Sequence, residues 1–158
     1  MQAHRPTCYL SMQCYPGDIM HRLIARAPTI EEYTRLCRAV GWGDVMNFEA
    51  AKSALPRSLH AVVVEVDGET AGMGRIVGDG AIFFYIQDVV VLPEYQGQGI
   101  GDEILTALVV WVEGHAPDKA FLGLFAIKDT VPFYERFGFA AYDHDVGMYR
   151  VVRRENLD

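Results

Sequence analysis

The chain has 158 residues, enough for one compact domain with a sizeable core and too few for two of ordinary size. Hydrophobic residues make up 51% of it, which argues against a disordered polypeptide. Twenty-one acidic residues against fourteen basic ones leave a formal charge of −7, and the longest basic run is Arg153-Arg154, so nucleic acid is not an expected partner.

The opening "MQAHRPTCYLSMQCYPGD" lacks the apolar core of a signal peptide, and apolar runs such as "ALVVWV" are too short to span a bilayer. A cytoplasmic protein without membrane contact is the expectation. Cys8, Cys14 and Cys37 do not form a disulfide framework, and the spacing of His4, Cys8, Cys14 and His21 fits none of the common zinc sites, so no metal is expected.

Residues 1–19 show no periodicity and contain Pro6, Pro16 and Gly17, which reads as an extended or poorly ordered lead-in to a single domain over 20–158. "IMHRLIARA" reads as a strand. Pro28-Thr29 then opens a helix in which Thr29 and Glu32 have capping-box spacing, with Ile30, Tyr33, Leu36, Cys37 and Val40 on one face and Gly41 as its stop. "VMNFEAAKSAL" is a shorter helix ended by Pro56. The β-branched and aromatic runs from Leu59 to Val91 are separated by Asp67-Gly68 and Gly78-Asp79-Gly80, turn signals that predict an antiparallel meander of three strands.

From Gly99 to about His115 the period changes to that of a helix, with Ile100, Ile104, Leu108, Trp111 and Val112 on one face and Gly114 closing it. "AFLGLFA" predicts a buried strand. Asp129 or Thr130 is positioned to cap a helix through "VPFYERF", ended by Gly138, and "FAAYDHDVGMYRVV" predicts two closing strands. A meander followed by a strand-helix-strand crossover makes a mixed α/β sheet.

The junction "VVVLPEYQGQGIG" carries the chemistry. Gly97, Gly99 and Gly101 between a strand and a helix can turn successive amide N–H groups toward one anion, and the helix adds its positive end, which together suit a diphosphate. A tight turn without a ligand is the alternative on the glycines alone. No G-x-x-x-x-G-K-[ST] occurs, and "GMGRIVG" at 72–78 has its third glycine one place too late for a dinucleotide fingerprint.

"Gln96-Gly97-Gln98-Gly99-Ile100-Gly101" fits the Q/R-x-x-G-x-G/A signature of the GCN5-related N-acetyltransferases (GNAT), and "VPFYERFGF" at 131–139 fits the second signature of that family, in the right order. The chain resembles this family over residues 20–152, and most closely its branch that includes plant serotonin N-acetyltransferases. The resemblance implies a mixed α/β fold whose mostly antiparallel sheet is opened by the acetyl-CoA site, with helices on both faces. It implies acetyl-CoA as co-substrate. Main-chain groups of Val89, Val90 and Val91 would pair with its pantetheine arm, and Gln96, Gly97, Gln98, Gly99, Ile100 and Gly101 would hold its diphosphate. Phe133 is assigned to the cofactor with them, and Tyr134 matches the family's general acid toward the CoA sulfur. A core aromatic is the alternative for Tyr134.

Many relatives carry a glutamate where this chain has Gln87, and an amide cannot take a proton. Asp88 is then the candidate base. By alternation it shares a face with Ile82, Phe84 and Ile86, where a desolvated carboxylate is a better base near neutrality; a structural aspartate, a water-mediated base and no dedicated base are the alternatives. The family asparagine that contacts CoA is here Ile127, so that contact is not carried over. The resemblance places substrate recognition in the first two helices and the loop between them, with Tyr33, Trp42, Met46 and Phe48 as apolar candidates and Asp44 or Glu49 as partners for an ammonium group; helix core and solvated charges are the better reading for most of them individually. The expected activity is N-acetylation of a small-molecule amine, with acetylation of a protein N-terminus or lysine, or a non-catalytic acetyl-CoA sensor, as alternatives. A homodimer is left open.

Overall fold

The computed structural model describes residues 20–141 and Met148, and these fall into two compact units, Met1–Phe125 and Ala126–Asp158. The first unit holds a five-stranded sheet in the order β1-β2-β3-β4-β5, formed by His21–Ile24, His60–Val66, Glu69–Gly78, Phe83–Val91 and Phe121–Gly123. The first three pairings are antiparallel and the last, β4 with β5, is parallel. The β2–β3 turn is sharp because Asp67 and Gly68 both take positive φ, 51° and 84°, as a two-residue hairpin of the favoured twist requires.

Helices cover both faces. α1 (Ile30–Ala39) is closed by the expected capping box, in which the Thr29 hydroxyl accepts from the Glu32 amide and the Glu32 carboxylate accepts from the Thr29 amide. Its Tyr33, Leu36 and Cys37 pack on Val63, Met73 and Val90 of the sheet, with α2 (Phe48–Ala54) contributing Ala51. On the opposite face lies α3 (Ile100–His115), which buries Ile100, Ile104, Leu105, Leu108 and Val112, each worth ~1.5–3 kcal/mol of transfer free energy. β3 admits this helix closely because it is glycine there: a Cβ on Gly74 would come within 2.7 Å of Ile104 and 2.8 Å of Leu108.

Several expectations are corrected. α3 runs through Gly114 to His115 and stops because Ala116, extended at ψ 140°, precedes Pro117. Trp111 is only half-buried and stacks between His60 and His115. β5 has three residues rather than the seven of "AFLGLFA", and Phe125 beyond it is 68% exposed; among the described residues it pairs only with Phe83 to Tyr85 of β4. In the second unit, a 3₁₀ turn at Lys128–Thr130 leads into α4 (Val131–Glu135). Thr130 does not cap that helix, since its hydroxyl donates to the Ile127 carbonyl instead. The two closing strands expected in "FAAYDHDVGMYRVV", like the lead-in over 1–19, lie outside the described residues. Among the described residues, no helix is long and apolar enough to cross a membrane.

Candidate active site

β4 and β5 stay together for three residue pairs, Phe83, Phe84 and Tyr85 against Phe121, Leu122 and Gly123. Beyond Tyr85 the same edge of β4 meets no strand among the described residues. Within this length the strand is bulged. Met73 faces Val90 and Arg75 faces Gln87, so Asp88 and Val89 together oppose the single residue Gly74. Asp88 takes up the extra length at φ 55°, a left-handed conformation uncommon for a residue with a side chain.

The bulge breaks the alternation on which the sequence reading of Asp88 rested. Ile82 is 56% exposed rather than a core neighbour. The Asp88 side chain is 8% exposed, but it is not a lone desolvated carboxylate. Its Oδ2 accepts from Arg75 Nε and pairs with Arg75 Nη2, each at 2.7 Å, and accepts from the Tyr33 hydroxyl at 3.1 Å. Arg75 Nη1 donates to the Ser58 hydroxyl at 3.0 Å, which donates to the Leu55 carbonyl at 2.9 Å. Burial, and then the negative charge of Asp88, raise the pKa of the Tyr33 phenol well above its ordinary value; the same two causes push the Cys37 thiol up to about 11. Both side chains are therefore protonated at neutral pH.

Sequence reasoning missed Arg75 and the polar role of Tyr33. The signal was there: "AGMGRIVG" sets one arginine within a run of small and apolar strand residues, and a charge in that position needs a partner.

The loop after β4 is built as the glycines suggested. Pro93–Tyr95 forms a 3₁₀ turn, Gly97 and Gly99 take φ 75° and 83°, and α3 begins at Ile100. The glutamine side chains, though exposed, brace this turn: Gln96 Nε2 donates to the Val91 carbonyl at 2.9 Å and Gln98 Nε2 to the Glu94 carbonyl at 3.1 Å. Gly99 offers α3 no side-chain cap, and a Cβ built on Gly97 or Gly99 would meet nothing within 4 Å. An uncapped helix start beneath an open glycine face fits a diphosphate. The acids Asp102 and Glu103 lie in the same first turn, and Glu103 Oε2 is held 2.6 Å from His21 Nε2 of β1.

In the second unit, Tyr134 is half-buried on α4, with its ring 5.0 Å from Phe133 and 6.3 Å from Phe139. Burial raises its pKa, and among the described residues its hydroxyl has no hydrogen-bond partner. Ile127 is 63% exposed. Of the proposed recognition residues, Trp42, Met46 and Phe48 pack against the core that contains Tyr33, and Glu49 pairs with Lys52. An open groove of about 860 Å³ between the outer faces of α1 and α2 is lined by Ile30, Thr34, Arg38, Phe48 and Lys52 among others. Neither Asp88, Arg75 nor any residue of 96–101 lines it. Among the described residues, no cluster of three or more His, Cys, Asp or Glu could hold a metal ion.

Comparison with known proteins agrees with the fold. Residues 57–141 match the acetyltransferase (GNAT) domain. The chain is 34% identical over 125 residues to the GCN5-related N-acetyltransferase 2, chloroplastic, of Arabidopsis thaliana, covering 67% of this chain and 48% of that protein, so it spans about half the length of this relative. It is 34% identical over 73 residues to serotonin N-acetyltransferase 2, chloroplastic, of Oryza sativa, covering 46% of this chain and 36% of that one. Among solved structures, a probable acetyltransferase of Staphylococcus aureus superposes with a TM-score of 0.78 at 30% identity, covering 85% of this chain and all of its own.

Proposed function

The chain belongs to the GNAT acetyltransferase family, and on that premise we propose that it moves an acetyl group from acetyl-CoA to the primary amine of a small molecule by direct attack. The observation that carries the reading is the continuity of the free, bulged edge of β4 with the open glycine turn at the start of α3. Residues 89–91 offer main-chain N–H and C=O groups along that edge, which suits the amide-bearing pantetheine arm. The amides of residues 96–101 suit the diphosphate. Acetyl-CoA, when bound, supplies the activated acyl group and a thiolate leaving group.

The remaining needs are proton transfers. Tyr134 serves as the acid: its raised pKa keeps the phenol protonated at neutral pH, and its Oη–H is uncommitted within the described residues. The acceptor must reach the site as a neutral amine. Protonating Asp88 there would strip the counter-charge from Arg75, whose side chain is 11% exposed, so we assign the amine's proton to water rather than to Asp88. Support for a small-molecule acceptor comes from the rice relative, whose name specifies serotonin.

The test is titration calorimetry with acetyl-CoA followed by a thiol-release assay across arylalkylamines, polyamines, amino sugars and N-terminal and lysine peptides. Binding with turnover on a small amine is the expected result. Turnover confined to peptides would replace the acceptor class, binding without turnover would make the chain a sensor, and failure to bind acetyl-CoA would overturn the reading.

A further inference from the structure

The bulge in β4 is held by side chains from three other places in the fold, and their arrangement indicates what they are for. Asp88 adopts φ 55° without being a glycine and within a strand rather than a turn, a conformation that costs energy unless its surroundings hold it. The enforcement is visible. Arg75 stands on β3 opposite Gln87, at one margin of the bulge, and grips Asp88 Oδ2 through Nε and Nη2. Tyr33, 3% exposed on α1, donates to the same oxygen from the core beneath, and Ser58 fixes the far end of the guanidinium. The guanidinium also lies 5.9 Å from the Tyr33 ring centroid.

A buried ion pair contributes little net stability against its desolvation, and a well-attested use of one is to select a single conformation. The conformation selected here is that of residues 88–89, where the run of main-chain groups 89–91 begins. We infer that Arg75 and Tyr33 are positioning residues which, by holding Asp88, fix the β4 bulge and so aim the strand edge that takes the acyl-carrying arm of acetyl-CoA. The inference rests on the cofactor reading above. It gives Asp88 a task other than proton transfer and assigns one to Arg75, which the signatures of the family do not include.

The experiment removes both charges together, so that neither is left buried alone. In Arg75→Met/Asp88→Ala the clamp is gone and alanine disfavours the left-handed backbone, so acetyl-CoA should bind roughly 5- to 30-fold more weakly by calorimetry. In Arg75→Met/Asp88→Gly the clamp is equally absent, but glycine takes positive φ freely, so most of the affinity should return. Tyr33→Phe keeps the ion pair and the packing and should weaken binding about 2- to 5-fold, with the pH profile of kcat unmoved. A general base at residue 88 predicts another pattern: the Ala and Gly double variants would bind acetyl-CoA as wild type does, and both would lose kcat together with its acidic limb. That pattern, or wild-type affinity in Tyr33→Phe and in whichever double variant folds, overturns the inference. Should neither double variant fold, Tyr33→Phe decides alone. Wild-type protein that does not bind acetyl-CoA removes the cofactor reading and this inference with it, whereas binding unaffected by the variants removes this inference only.

Discussion

Two single residues carry most of the proposed chemistry, and each makes a separable prediction. Tyr134→Phe removes one proton and little volume, so kcat should fall roughly 10- to 10⁴-fold while acetyl-CoA affinity changes little. Because burial lifts the phenol above its ordinary value of 10.0, its ionisation should impose no basic limb on kcat below about pH 10. Full activity in Tyr134→Phe, with chemistry shown to be rate-limiting, would make the residue a core aromatic beside Phe133 and Phe139. Gly99 tests binding instead. At φ 83° it faces open space, so valine there meets no clash but must adopt a left-handed backbone, costing ~1–2 kcal/mol and lowering Tm by roughly 2–8 °C. Acetyl-CoA affinity should fall about tenfold or more, as the helix-start amides turn from the phosphates. Unchanged affinity in folded Gly99→Val would detach the loop from the cofactor.

At the scale of elements, α1 joins the sheet through a network anchored on its capping box. Glu32 accepts from the Thr29 amide, from both Arg26 Nη atoms at 2.7 Å and from the Thr70 hydroxyl at 2.5 Å, and these bonds, Arg26 first, hold its carboxyl at about 2 against an ordinary 4.5. A lowered folded-state pKa contributes stability that is present above about pH 4.5 and lost as pH falls toward 2. Glu32→Gln should therefore cost ~1–2 kcal/mol at pH 7, roughly 2–8 °C in Tm, and flatten the Tm profile across that acidic window. A variant with the wild-type acid profile would mean another carboxylate governs it. This cap was legible in the sequence because Thr29 and Glu32 are three residues apart and act locally. The meander was legible for the same reason, since Asp67-Gly68 is itself the turn. What the sequence hid was set by distant partners. Asp88 lost its alternation to a bulge that depends on Arg75 and Tyr33, thirteen and fifty-five positions away. β5 shrank because its only described neighbour diverges after Tyr85. The glycine loop does lie between β4 and α3, yet Gln96 and Gln98 brace the turn, a role that spacing alone does not specify.

At the scale of the whole molecule, a ligand that binds the folded chain alone must stabilise it. At acetyl-CoA concentrations of about 100 times Kd the gain is ~2.7 kcal/mol, or roughly 5–11 °C in Tm for a chain of this size. CoA lacking its acetyl group should do nearly as well, because on the proposed reading the edge of β4 and the glycine turn would hold the arm and the phosphates rather than the acyl carbon. The length of β4 beyond Tyr85, which meets no strand among the described residues, has one more consequence. Unpaired strand edges are templates on which other chains add, and residues 89–91 are three valines in a row. The kink at Asp88 is the kind of distortion that discourages such addition, and a bound pantetheine arm would complete the protection by occupying the same hydrogen-bonding groups. Light scattering at elevated temperature should accordingly rise more slowly with saturating CoA than without it, and faster in the Arg75→Met/Asp88→Ala variant than in wild type. On the proposed reading, acetyl-CoA would then protect the folded chain from association as well as serve as its acyl donor.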